Sequence, residues 1–552
     1  MDVSLVRRVA AMFCVLALAT AVAAGCGEDG GSSDGAGSAA SSGGLLDYAP
    51  KDTIFYATVD LDFDGDAWGK AKEHAQQFEG YEKQRDEMLK ELSGGSDEKL
   101  TYEQDFKPWL GESAVVAISM PEGDGKSKTA EAGGDEAGTD TEPNVVIVAQ
   151  VKDKAKAEDF LKAREGKKGK TSGDFTYWED TKVSEDEAAT DDAGLIALSD
   201  EVLIGAETEA EIKDAIDAKD GDNVLDNEGT EDVAGEIEGE ALVAGVVVGG
   251  SVRAALKEAS KEDAEAFKQL MDIDQVKAFE GMAFGVTAED DGFKLHGFAG
   301  FDDSKLTDKI PTGEFEPTLL QDLPGNTALA LTGTNLGEAL KQVADAVTEQ
   351  SKEAAEGKSQ IEALAGVTVE DLAKAYGGQY VLAVGDKADG GPVPPITLIT
   401  ENEDDSKAKS VTEKLIGLTQ LAGAAPKDVK AGDVDVKEAN LGGVNIAAAT
   451  HEKHSFFSTD SKIIGSFGEG DTLGDADSFQ DAWEAADAPD KVTGAFFADV
   501  QALYGLAGTL GAGDALKGAD TEPLGSWVGW ANTEEDSVTF DLFMQIKETE
   551  AK

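Results

Sequence analysis

Chemistry has few places to come from in this chain. Asp60-Leu61-Asp62-Phe63-Asp64-Gly65 carries three carboxylates at alternate positions and a glycine for the turn, the front of a calcium loop. The twelfth position, where a bidentate Glu completes such a loop, is Ala71. The plainer account is a strand end, a turn and an acidic helix N-terminus, where carboxylates favour the helix dipole; calcium near Asp60 is the alternative. His451-Glu452-Lys453-His454 spaces its histidines i, i+3, whereas a zincin needs i, i+4 on a helix. The flanks Ala447–Thr450 and Phe456-Phe457 read as strands, so a hairpin turn is expected there. His296 is expected on the outward face of a strand and His74 in a polar helix rich in Lys and Glu, neither with a catalytic partner. Gly125-Lys126-Ser127 and Gly169-Lys170-Thr171 end like a P-loop, but Met120 and Arg164 stand where its first glycine belongs, and both read as solvated loops. Gly31 to Gly35 fits G-x-S-x-G without a strand before it or a helix after it, so it makes no nucleophile elbow. Among so many carboxylates nothing marks out a glycosidase-like pair. The expectation is a non-enzyme with no catalytic residue, no cofactor and no metal ligand.

Composition narrows the classes further. The 552 residues include 111 Asp+Glu against 48 Lys+Arg, a net charge of −63, which argues against a nucleic-acid partner. Two cysteines exclude a disulfide scaffold and a Cys-rich zinc site. The hydrophobic fraction of 41% is enough to build cores, and the length fits two to four domains.

The N-terminus points to a compartment. Arg7 and Arg8 precede an uncharged apolar stretch, Val9 to Ala24, that is short for a membrane span and has the form of a secretory signal. Ala23-Ala24-Gly25-Cys26 resembles a bacterial lipobox, with Ala23 where Leu is usual. That resemblance implies cleavage after residue 25 and attachment of a diacylglycerol to Cys26, leaving the mature body without a free thiol. Residues 26–44 are then the lipidated cysteine and a Gly/Ser-rich tether, whose 18 residues after Cys26 span about 23 Å as a flexible coil. The expected location is extracytoplasmic, on the bacterial membrane through the lipid.

The body reads as a duplication. Leu45-Leu46 to Thr53 and the apolar run Ile54–Val59 recur as Leu319-Leu320 to Thr327 and Ala328–Leu331, 274 residues on. Asp105–Gly111 aligns with Asp371–Gly377 at a shift of 266, and Phe293–Phe298 with Val538–Phe543 at 245. Between them, Val145–Ala149 leads into a helix near Ala155–Ala163, as Ile396–Ile399 leads into one near Lys407–Leu418. Val538, Phe540, Leu542, Met544 and Ile546 alternate with mostly polar residues and predict a strand with that set buried; Ala241–Val248 predicts a central strand. Leu336, Leu340, Val343 and Val347 fall at helical spacing. The low-complexity stretch 121–142 and the acidic stretch Ser184–Ala193 read as surface loops. The expected fold is α+β: two homologous halves, 45–312 and 313–552, each a largely antiparallel sheet packed with helices.

The lipobox, the tether, the opening Leu45-Leu46 through Ala49-Pro50-Lys51-Asp52-Thr53-Ile54-Phe55-Tyr56, and Asp105-Phe106-Lys107-Pro108-Trp109-Leu110-Gly111-Glu112 together resemble the bacterial domain-of-unknown-function family 3352. The resemblance covers most of residues 45–546 and implies no catalytic residue. The chain is therefore expected to be a lipid-anchored envelope protein that binds or scaffolds. The alternative is a ligand- or lipid-binding lipoprotein with a cleft between or within the halves, and behind it a carboxylate-dependent hydrolase. Partners expected are the membrane, through the lipid, and an apolar small molecule or an envelope protein.

Overall fold

A computed structural model describes residues 44–81, 101–120, 143–163, 167–179, 195–237, 241–259, 274–306, 313–350, 352–386, 394–509 and 520–549. Cys26, the signal segment, the tether up to residue 43, Gly31–Gly35, Gly125–Ser127 and the loops 121–142 and 184–193 lie outside the described residues. The chain is α+β and divides into two compact units, residues 1–310 with 535–539, and 311–534 with 540–552. Among the described residues no helix is long and apolar enough to cross a membrane.

The first unit begins on a buried Leu45–Tyr48 turn. Its ten strands are β1 (Thr53–Asp60), β2 (Leu110–Ser119), β3 (Asn144–Val151), β4 (Lys167–Ser172), β5 (Phe175–Glu179), β6 (Leu195–Leu198), β7 (Val202–Ala206), β8 (Val243–Val248), β9 (Phe279–Glu289) and β10 (Gly292–Phe301). They pair antiparallel in the order β4-β5-β6-β7-β3-β2-β1-β8-β9-β10. Strands β1, β2, β3 and β8 are interior and mostly buried, and β8 is the central strand that its apolar run predicts. One face carries the main core, with Tyr56, Val115, Val148, Ile204 and Val246 under the helices Glu209–Asp220 and Thr230–Gly235.

The second unit has β11 (Thr327–Thr334), β12 (Gln379–Gly385), β13 (Ile396–Glu401), β14 (Lys427–Ala431), β15 (Val434–Leu441), β16 (Val444–His451), β17 (His454–Ser458), β18 (Gly494–Asp499), β19 (Leu524–Thr533) and β20 (Ser537–Ile546). Their order is β14-β15-β16-β17-β13-β12-β11-β18-β19-β20, the first unit's order strand for strand. Its inner core gathers Val381, Ile399, Phe456, Phe497, Val528 and Phe543.

Irregular backbone bonds recur as well. Leu61 N–H donates to Glu112 O at 2.8 Å and Asn335 N–H to Gly378 O at 3.0 Å. Lys152 N–H donates to Trp109 O and Glu403 N–H to Ala375 O, at 2.9 and 3.3 Å. Val224 N–H reaches Ala49 O and Leu473 N–H reaches Leu323 O, at 2.9 and 2.6 Å.

Two expectations need correction. In β20, Phe543, the residue that broke the polar set, is fully buried in the inner core, while Phe540, Leu542 and Met544 are half-buried. The sheet has apolar side chains on both faces, so alternation alone does not pick the buried one, and of the expected set Ile546 is buried. Gly169-Lys170-Thr171 lies in the exposed strand β4, not in a loop; β4 is an outer strand held by β5 through the turn at Gly173 (φ 59). His74 lies in the polar helix expected of it and is fully buried there.

Candidate functional site

The residues singled out for their chemistry are scattered by the fold. Asp60 ends β1, and its Oδ1 accepts the Asp62 N–H at 2.9 Å while its carbonyl accepts the Trp68 indole N–H at 3.1 Å. Asp64 pairs with Lys107 at 2.6 Å, and Gly65 is the N-cap of the helix Asp66–Ala75. Hydrogen bonds to Asp64 and Glu103 raise the Lys107 pKa. The three carboxylates therefore serve a strand end, a turn and an ion pair. Among the described residues no group of three or more His, Cys, Asp or Glu is placed to hold a metal ion.

His451 and His454 face one another across the β16–β17 hairpin, whose turn puts Glu452 at φ 49. His454 packs edge-on against Phe456 and Phe467, and burial lowers its pKa. His296 is half-buried in β10. His74 alone of the four histidines is fully buried: its ring is 0% exposed and stands edge-on to Phe293 at 5.7 Å. Trp68, Ala71, His74 and Ala75 form the inward side of their helix, so a sequence rich in Lys and Glu still buries this one imidazole. Neither ring nitrogen finds a hydrogen-bond partner, and burial pushes its pKa down to about 2.

Among the described residues two carboxyls have raised pKa values, both chiefly through burial: Glu211 and Glu280. Glu211 is committed to a cap, accepting the Glu207 and Thr208 N–H groups at 2.9 Å each as the helix Glu209–Asp220 begins. In the second unit a buried hydroxyl chain joins Tyr376 Oη to Thr412 Oγ1 at 3.0 Å, and Ser455 Oγ donates to Asn402 Oδ1 at 2.7 Å. Desolvation raises the Tyr376 phenol to about 12.

What the sequence did not disclose is a pocket of about 360 Å³ in the second unit. It lies between the Leu323–Thr327 turn, the neighbouring ends of β12 and β13, and the helix Ser461–Ser466. Leu323, Ala383 and Ile463 supply apolar wall; Asn326, Asp386 and Lys462 supply polar rim. Much of that polarity is already engaged. Asn326 Nδ2 donates to Asp386 Oδ1 at 2.9 Å, Thr397 Oγ1 and Ser458 Oγ share a bond at 2.7 Å, and Asp460 Oδ1 caps Lys462 N–H at 2.9 Å. The set offers a binding concavity with no nucleophile paired to a base. Its members come from three distant stretches, so no local motif could announce them.

The two units differ at this place. The helix after β7 runs twelve residues, Glu209–Asp220, and packs along the Leu45–Tyr48 turn, where Lys219 Nζ meets Tyr48 Oη at 2.7 Å. Its counterpart after β17 has six residues and stops at Ser466, followed by Gly468 and Gly470 with positive φ. The pocket adjoins the shortened helix.

No curated protein matches the sequence. Among solved structures, crystal forms I and III of TP0453 are similar at 10% identity. The first likeness spans 48% of this chain and 81% of that one with a TM-score of 0.24, the second 42% and 81% with 0.22. Residues 9–512 match the family described as protein of unknown function (DUF3352), and with nearly the whole described body inside that match, the chain belongs to this family.

Proposed function

We propose that this is an extracytoplasmic lipoprotein, tethered to the bacterial membrane through Cys26, whose body arose by duplication and binds or scaffolds in the cell envelope without catalysing a reaction. The observation that carries the anchor is the run from Arg7 through the apolar Val9–Ala24 to Ala23-Ala24-Gly25-Cys26, followed by a tether without core-forming residues. The shared ten-strand order and the recurring backbone bonds support descent of 45–312 and 313–552 from one unit. Mass spectrometry of the mature N-terminal peptide tests the anchor: a diacylglyceryl Cys26 as first residue is expected. An unmodified Cys26, or cleavage elsewhere, overturns it. Cys26→Ser should move the protein from the membrane to the soluble fraction.

A second reading, a ligand-binding lipoprotein, is favoured by the pocket beside Ser461–Ser466. Native mass spectrometry of the purified protein should then retain a small molecule that Ser466→Trp, filling the pocket, releases. A bare mass in both proteins removes that reading.

A further inference from the structure

The outer face of the second unit's sheet carries a row of apolar side chains in direct cross-strand register. Phe496 in β18 lies opposite Leu331, Leu331 opposite Leu382, Leu382 opposite Leu398, and Leu398 opposite Phe457. A second row two residues along the strands runs Leu329, Val384, Ile396. The inward neighbours Ala330, Val381, Ala383, Ile399 and Phe497 fill the core, so this face is surplus to the core's needs. It is also unusually open: Leu331 is 48% exposed, Leu382 43% and Ile396 41%. Contiguous exposed aliphatic surface of this kind marks a binding surface.

The row has ends. Phe457 lies beneath the helix Asp405–Gly417, in a cluster with Ala408, Val411 and Leu415. At the other end the helix Val500–Thr509 packs against β11, β18 and β19, and its buried Val500 and Leu506 stand apart from the inner core. Five strands at a spacing of about 4.8 Å make the row roughly 19 Å long, the length of a long fatty-acyl chain.

We propose that this face binds the aliphatic chain of a neutral or zwitterionic single-chain lipid, lying across the strands. Three observations select that occupant. Strands β11, β12 and β13 are paired on both sides, so no backbone group is free to take an added peptide strand. Burying these eight side chains, none more than half exposed, falls short of the ~800 Å² per partner that a stable protein interface needs, which suits a slender occupant and not a second copy. A net charge of −63 opposes both a second copy and an anionic head group.

The first unit lacks the feature at the same register. Its row reads Gly245, Ala57, Val116, Ile147, Gly205, with Val116 4% and Ile147 0% exposed. Phe284 lies over Gly245, where an added Cβ would sit 2.5 Å from its ring, and stacks on Phe55 at 6.3 Å.

The test is a titration of the purified full-length protein with N-phenyl-1-naphthylamine, a neutral dye that fluoresces in apolar sites. A saturable signal is expected, displaced by sixteen-carbon lysophosphatidylcholine below its micellar concentration and not by the six-carbon form. Leu331→Glu and Leu382→Glu should each weaken dye binding at least tenfold with an unchanged far-UV spectrum. Leu382→Gln gives the same reading if the charged variants fold poorly, and Leu421→Glu, at an exposed leucine off the row, should bind normally. No saturable signal, equal displacement by both chain lengths, or unchanged affinity in the Leu331 and Leu382 variants overturns the proposal. Binding to phosphatidylcholine vesicles without binding of the single-chain lipid also overturns it, since the face would then be a membrane contact.

Discussion

The two units share ten strands in one order and differ in what they do with the surfaces of that sheet. The same junction shows it most plainly. In the first unit Gly245 on β8 lies opposite Phe284 on β9; in the second, Phe496 on β18 lies opposite Gly529 on β19. The aromatic ring stands on β9 in one unit and on β18 in the other, and the outer row is buried at Val116 and Ile147 in the first unit and exposed at Leu331 and Leu382 in the second. At the opposite face the first unit has a long capped helix, and the second has a short one with a pocket beside it. Topology survives large surface change because interior strands are held by backbone pairing, which side chains leave intact. The open surfaces described above both lie in the second unit.

That comparison can be broken by mutation. The largest effect is expected at the inner core, where the units should agree. Phe497, fully buried, occupies the register position of Val246. Phe497→Ala should cost about 3–5 kcal/mol in guanidinium unfolding; a loss under about 1 kcal/mol would mean that the second inner face is not packed like the first.

Acid should act next on both units, on the first through His74 and on the second through His454, whose pKa burial also lowers. His74 is neutral when folded, with its pKa lowered to about 2, and titrates near 6.5 when unfolded. The unfolded chain therefore binds more protons below pH 6.5, and stability falls as pH falls, by about 2 kcal/mol between pH 7 and 5. His74→Leu should flatten that slope. If the wild type and the variant lose stability in parallel, the buried imidazole is not the acid-sensitive group of the first unit.

A smaller change is expected at Tyr376, which stands where the first unit has the apolar Leu110. Tyr376→Phe removes its bond to Thr412 and should cost about 1 kcal/mol; no loss would show the second unit tolerating the first unit's chemistry there. Smallest of all is Lys219→Met, which breaks the partly buried contact with Tyr48 that only the longer helix makes. Thermal unfolding should register no more than about 0.5 kcal/mol, and a larger loss would make that contact the reason the helix extends.

Much of the strand layout was legible in the sequence, and the reason is periodicity backed by apolar content. Thr53–Asp60, Val243–Val248 and Ile396–Glu401 are interior strands whose β-branched and aliphatic runs have no other comfortable home. Lys167–Ser172 was illegible because an edge strand need not be apolar, and its five polar residues and one glycine look like a loop until a partner strand is known. The burial of His74 was not legible because a helix rich in Lys and Glu can still turn one imidazole inward, and only the position of Phe293 reveals which face that is. The pocket and the leucine row were invisible for a shared reason: each is assembled from segments far apart in the chain. Side chains on one sheet face become neighbours only through register.

The position of β1 has a consequence in time. Tyr56 is flanked by Ala117 on one side and by Val246 on the other, so the first strand of the unit waits in the middle of a sheet for a neighbour synthesised much later. Ala330 waits likewise for Phe497. A chain of this design, emerging N-terminus first, cannot close either sheet early, and such distant pairings make folding slow. The nascent polypeptide stays open in each unit until β8 or β18 is made, long after β1 or β11.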